Sequence, residues 1–348
     1  MPLDRVAARV PRLRAHLRSR RRLMADGLSE AGLRTAVNHG QILRILPGRY
    51  VSADDWRELE REDRHLLRAI AVEQGARKAP LFSHFTSAIL HDLPLLHFAH
   101  AHVHVSAINL PSTPPHRRRA LGDPDQIAET AVIRHNLSTL PDADVTTGGI
   151  RHTLLPQTVI DVARAAPFAA GVVCADAGLR RLVREHGMTV EEARSALLGR
   201  LEEVPRARWS DRAQRVLRFA SALAESPLES LTRLQLARLG FDLREQVPVR
   251  GSGGAAYRMD FELTGRKIFV EADGRSKYSD ARMRGGLSAE EVVFREKRRE
   301  DSIRNATQLA IVRSLWADAQ HPRAMTSLLR GCGVEPPNPE GLARADLY

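Results

Sequence analysis

The stretch from Tyr257 to Asp273 constrains the fold more than any other part of the chain. Two strand-like runs, Tyr257–Leu263 and Lys267–Asp273, flank a turn. Gly265-Arg266 fits a two-residue type II′ loop, which needs Gly first. That loop pairs Thr264 with Lys267 and sets Asp260 opposite Glu271. Side chains alternate along a strand, so Asp273 shares the face of Glu271. Three carboxylates are thereby expected together at one end of a hairpin. Like charges facing each other destabilise a sheet. A divalent cation, Mg²⁺ or Mn²⁺, would remove that repulsion, since such ions are held by one or two carboxylates plus phosphate oxygens. A solvated polar face explains the same three acids without a ligand, and a one-residue slip would separate them.

Basic residues sharpen the question. The chain carries 53 Lys+Arg against 42 Asp+Glu, for a net charge of +11. Such a balance favours polyanionic partners, nucleic acid foremost. An arginine-rich coding bias explains part of the same excess. Only four of the basic residues are lysines, Lys78, Lys267, Lys277 and Lys297, and three of them lie in or after the hairpin. Lysine can lose its proton when desolvated, whereas arginine cannot.

The pattern Arg258-x-Asp260…Val270-Glu271-x-Asp273-Gly274-x-x-Lys277-Tyr278 resembles the small domains related to very-short-patch-repair endonucleases, of the PD-(D/E)XK superfamily. The resemblance spans roughly Pro227 to Gly331. It implies a core of order αβββαβ, with Asp260 and Glu271 holding Mg²⁺ or Mn²⁺; the hairpin geometry adds Asp273 as a third candidate ligand. Asp273 stands where the superfamily pattern has Lys, and Lys277 or Lys297 would supply the amine. Glu229, in the helix opened by Ser226-Pro227, matches a glutamate that faces the metal in these domains. A capping box explains Glu229 equally well. Arg295, Arg298 and Arg299 would clamp a phosphate backbone. The strand–helix–strand step from Val270 to Val312 requires a right-handed crossover and hence a parallel pair.

The first 24 residues hold eight arginines against one acid, read as a phosphate-contacting arm or a solvated tail. Ser29 can cap a helix bearing Leu33 and Val37. Ile42–Ile45, Pro47-Gly48 and Arg49–Val51 read as strand, turn and strand. This region resembles the winged helix-turn-helix of AbiEi-type antitoxins, as does Phe82-Ser-His-Phe-Thr-Ser-Ala-Ile-Leu-His-Asp-Leu-Pro94. The resemblance implies duplex binding through Arg20, Arg21, Arg22, Arg34, Arg44 and Arg49, and a cognate toxin as partner.

The middle of the chain is rich in histidine: His84, His91, His97, His100, His102 and His104. His102 and His104 alternate as polar strand-surface residues do, and no zinc signature accompanies them. The Pro-rich run ending in Arg117, Arg118 and Arg119 reads as a solvated loop or a phosphate contact. Asp161 and Asp176 lie on apolar helices, where local pairing accounts for them. Cys174 reads as a small core residue. Two cysteines make no disulfide framework, no run is long enough for a membrane span, and a cytoplasmic protein is expected.

The expected architecture is α+β and multidomain. A winged helix-turn-helix occupies 1–55, a mixed α/β middle domain 56–205, a restriction-endonuclease-like α/β core 210–333 and a disordered tail 334–348. The expected function is DNA binding with metal-dependent phosphodiester hydrolysis. The alternative is an AbiEi-like regulator whose nuclease-like domain is catalytically degenerate.

Overall fold

The computed structural model describes residues 2–96, 101–108, 130–137, 144–203, 209–274, 289–341 and 347. It is a mixed α/β chain with three sheets among these residues. Two compact units emerge, residues 1–166 with 199–210, and 167–198 with 211–348. The division departs from the expected one. The first 55 residues share a unit with residues 56–166, and the helices after Pro167 join the C-terminal unit.

The first unit begins with α1 (Pro2–His16), β1 (Arg18–Ser19), α2 (Arg20–Ala25) and α3 (Glu30–Asn38). The hairpin β2 (Ile42–Leu46) and β3 (Arg49–Ser52) comes next, in a sheet ordered β1-β3-β2. The arginine block is therefore neither arm nor tail. Val6, Val10, Leu13 and Leu17 recur at helical spacing and are buried, so α1 carries an apolar stripe into the core. Its arginines turn outward to acids: Arg9 and Arg12 to Asp63 at 2.6 and 3.1 Å, and Arg14 to Glu73 at 2.9 Å. Ser29 caps α3 by accepting from the Gly32 amide at 3.0 Å, and Leu33 is buried as the spacing required.

Next come α4 (Ala53–Glu58), α5 (Arg61–Gly75), β4 (Leu81–Phe82), α6 (His84–Leu90), β5 (His102–Ile108), β6 (Ala131–Leu137), β7 (Asp144–Thr147), β8 (Ile150–Thr153) and α7 (Leu155–Ala165). The five strands form one sheet in the order β6-β5-β4-β8-β7. The β7–β8 loop is Gly148-Gly149, with φ of +58° and +84°, a conformation open to glycine. Gly148 also lies against Val10, where a Cβ would come within 2.7 Å of the valine. Glycine thus lets α1 sit on this turn.

The second unit contains α8 (Phe168–His186), most of α9 (Val190–Glu203), α10 (Ser210–Phe219) and α11 (Pro227–Arg238). Strands β9 (Leu243–Arg250), β10 (Ala256–Leu263) and β11 (Ile268–Ala272) lead to α12 (Ala289–Thr307), β12 (Ala310–Ser314), α13 (Trp316–Ala319) and α14 (Pro322–Gly331). The sheet runs β12-β11-β10-β9. Strand β11 pairs with β12 in parallel, Val270 beside Val312, as the crossover demanded. One face packs on α11 and α14 through Phe261, Leu263, Ile268, Val270 and Val312. The other packs on α12 through Met259, Phe269 and Ile303.

The described part of the tail is not loose. Val334 is buried, the Asn338 amide donates to the Leu239 carbonyl at 2.9 Å, and Arg238 donates to the Leu347 carbonyl at 2.6 Å. None of the helices among the described residues is long and apolar enough to cross a membrane.

Candidate functional site

The β10–β11 hairpin has the expected register by a different turn. Phe261 pairs with Val270, Glu262 with Phe269 and Leu263 with Ile268. Continued by one residue, that register sets Asp260 beside Glu271. The loop, however, is four residues long. The Arg266 amide donates to the Leu263 carbonyl at 3.0 Å, and Gly265 and Lys267 take φ of +76° and +50°. Gly265 thus sits where a type II turn needs positive φ, rather than first in a type II′ turn.

Register alone does not bring the three carboxylates together, because the alternation breaks at Asp260. Met259 and Phe261 are two apart, yet they lie in the cores on opposite faces of the sheet. Two apart should mean the same face. Across from Asp260, Gln246 of β9 has φ of +51°. Gln246 and its neighbour Glu245 both reach α11, one at Glu229 (3.0 Å) and the other at Arg233 (3.6 Å). Asp260 itself turns toward β11 and accepts from the Ala272 amide at 2.9 Å. Its carboxylate thereby occupies a backbone donor at the point where β10 and β11 cease to pair.

Glu271 and Asp273 are held by arginines. Arg299, on α12, forks onto Glu271 at 2.6 and 3.2 Å, and also reaches Glu296 at 3.0 Å. Such two-pronged charge-assisted bonds are among the stronger polar contacts. Burial acts to lower the pKa of Arg299, but its bonds to Glu271 and Glu296 outweigh that and raise it. Arg313 stands beside Glu271 in the parallel pairing and reaches Asp273 at 2.9 Å, Glu296 at 3.2 Å and Glu300 at 2.8 Å. Two guanidiniums therefore bridge two strand acids to two helix acids.

Glu229 acts as a cap. It accepts from the Glu225 amide at 2.8 Å, from Ser226 Oγ at 2.9 Å and from Gln246 Nε2 at 3.0 Å. Burial raises its pKa, and these donors oppose the rise. Lys277 lies outside the described residues, and Lys297 is exposed. Among the described residues no three of His, Cys, Asp and Glu form a group able to hold a metal ion. As arranged, the hairpin acids do not form a ready Mg²⁺ or Mn²⁺ site, because Arg299 takes both oxygens of Glu271.

Arg313, Glu296, Glu300 and Gln246 escape a reading of the hairpin alone. Arg313 was within reach: once Val270 pairs with Val312, Glu271 must stand beside Arg313. Glu296, Arg299 and Glu300 are then fixed by the three- and four-residue spacing of one helix face. Nothing local announces Gln246.

On the outer side of α12, Phe294, Arg295, Lys297 and Arg298 are exposed, and the Arg298 guanidinium lies 5.9 Å from the Phe294 ring. In the first unit, Arg21 and Arg22 on α2, Arg34 on α3 and Arg44 on β2 are exposed. Arg20 pairs with Glu30, Arg22 with Asp26 at 3.0 Å, and Arg49 donates to the Gln74 carbonyl at 2.7 Å. A groove of about 390 Å³ runs between α3 and the hairpin, lined by Arg20, Glu30, Arg34, Asn38, Arg44 and Tyr50. Arg117, Arg118 and Arg119 lie outside the described residues.

The histidines form buried contacts rather than a strand surface. His104 is buried and bonds to His135, ring nitrogen to ring nitrogen, at 2.9 Å. His84 stacks on His135 with ring centres 3.5 Å apart and lies 3.5 Å from Asp161. Burial lowers the pKa of His84 and of His135 to about 3, and that of His104 to about 2. It raises Asp161 to about 6, against the Gln157 hydrogen bond. His97 and His100 lie outside the described residues. Cys174 is fully buried, and burial, then Asp176, pushes its thiol up to about 12.

The chain matches no protein-family profile, no curated protein and no solved structure.

Proposed function

We propose that this chain is a cytoplasmic DNA-binding protein of the regulatory kind, with a winged-helix module at its N-terminus and a nuclease-like module at its C-terminus. The observation that carries the reading is the order helix, short strand, helix, helix and hairpin through Ser52, with exposed arginines on α2, α3 and β2. In this reading α3 enters the major groove, the turn at Pro47-Gly48 lies along the backbone, and Arg21, Arg34 and Arg44 meet phosphates. The exposed cations of α12 give the second module its own phosphate contacts. An AbiEi-like regulator would also engage a toxin protein, for which co-purification with the product of a neighbouring gene is the test.

Binding of the full chain to duplex DNA, measured from low to moderate salt, tests the reading. The logarithm of affinity should fall with the logarithm of salt at roughly 0.9 per phosphate contacted, and Arg34→Ala and Arg44→Ala should each lower that slope by about one contact. Binding indifferent to salt, or absent at low salt, contradicts it.

Metal-dependent hydrolysis is the second reading. One observation favours it: Glu271, Asp273, Glu296 and Glu300 outnumber Arg299 and Arg313, leaving net negative charge next to Asp260. Hydrolysis would require Arg299 to release Glu271. Nicking of supercoiled DNA with Mn²⁺, lost in Asp260→Ala, would establish it.

A further inference from the structure

A cavity of about 980 Å³ lies in the first unit, bordered at one side by Pro47 and Arg49 of the hairpin. Its floor is the β5-β6 part of the sheet, with Val105 and Val132 on one face; its wall includes Val72 of α5 and Leu46 at the end of β2. The volume lies at the upper end of the roughly 300–1,000 Å³ typical of small-molecule sites, which are largely apolar with a few placed polar groups. Four cations lie around this apolar body: Arg49, Lys78, Arg134 and Arg151. No acid is found among the described residues that line it.

A cavity with an apolar floor and cations without acids selects for one chemistry. A neutral apolar ligand would leave the exposed Lys78 and Arg134 unused, a cationic one would be repelled, and a small inorganic anion would leave the floor wet. We propose that this cavity binds a small amphiphilic anion, a carboxylate or phosphate on an apolar body. The apolar part lies on Leu46, Val72, Val105 and Val132. The head group meets Lys78 and Arg134, which are exposed, and Arg151.

Fluorescence titration of the full chain with 8-anilinonaphthalene-1-sulfonate tests this at a pH and temperature where the protein is folded. The dye should bind saturably at one site. Decanoate and decyl phosphate should displace it, the better of the two naming the head group, and decyltrimethylammonium should not. Lys78→Glu with Arg134→Glu should weaken dye binding by roughly tenfold or more, because two attractive charges become repulsive, while the melting temperature holds. Should the double variant fail to fold, Lys78→Gln alone must still weaken the sulfonate more than it weakens the neutral probe N-phenyl-1-naphthylamine. Displacement by the cationic detergent, unsaturable binding, or charge variants that bind like wild type would overturn the proposal.

Discussion

The two units differ in how much charge they bury. In the first unit the buried polar groups are mostly neutral. His65 bonds to Thr86 at 3.0 Å, Ser87 to His152 at 3.1 Å and to Thr158 at 2.7 Å, and His104 to His135 at 2.9 Å. In the second unit charged groups join the neutral ones: Asp176, Arg181, Glu229, Arg233 and Arg238 are buried beside Ser, Thr and Gln. Asp176, 1% exposed, takes both oxygens of its carboxylate to Arg233 at 2.9 Å, and Glu271 and Asp273 take Arg299 and Arg313. A neutral network costs nothing in charge desolvation but is lost when its members ionise. An ion-paired one tolerates pH but fails when one partner is removed.

The largest expected effect breaks the charged side of this comparison. Arg233→Ala would leave Asp176 charged and unpaired in the interior, and would also remove the guanidinium 4.2 Å from the Phe219 ring. Removing one partner of a buried pair costs about 3–5 kcal/mol. Urea unfolding monitored by hydrogen exchange should show protection lost at 228–263 and kept at 81–105.

Acid breaks the neutral side. Unfolded histidines take up protons below about pH 6.5, but the folded His84, His104 and His135 do so only near pH 2–3. Unfolding therefore takes up protons throughout that window, and the stability of the first unit falls as pH falls from about 6.5. Asp161 opposes this. Its folded pKa of about 6 lies above the unfolded 3.8, so it contributes stability as pH drops through 6. Three groups against one leave the first unit acid-labile. Exchange at pH 7 and pH 5 should show 81–105 losing protection before 228–263, and His104→Gln should shallow the pH dependence.

Smaller effects are expected at the hairpin. Arg299→Ala should cost about 1.5–3 kcal/mol, the worth of hydrogen bonds to charged groups, in a chemical denaturation series. Asp260→Ala removes one acceptor from the Ala272 amide and also one of the clustered negative charges. Its cost should be about 1 kcal/mol or less in the same series.

The features legible in the sequence are those set by local pairing. The register of Phe261 with Val270 comes from where the turn lies, and the parallel pairing of Val270 with Val312 from the handedness of a crossover. The helix bearing Val6, Val10 and Leu13 was read instead as an arm or a tail, because its arginines masked the apolar spacing. What was not legible depends on distant partners. Asp176 and Arg233 are 57 residues apart, and neither carries a local sign of the other. The broken alternation at Asp260 depends on Gln246, on a third strand, adopting a positive φ. One hairpin read alone therefore yields the right register and the wrong destination for its carboxylates.

The most direct test concerns those carboxylates, which this account assigns to arginines and a backbone amide. Thermal melts of wild type, Asp260→Ala and Arg299→Ala would be recorded with excess Mn²⁺ and with chelator, since an ion that binds the folded state raises its melting temperature. Wild type should melt at the same temperature in both. A wild type stabilised by Mn²⁺, with the effect abolished by Asp260→Ala, would contradict it and establish the hairpin as a metal site.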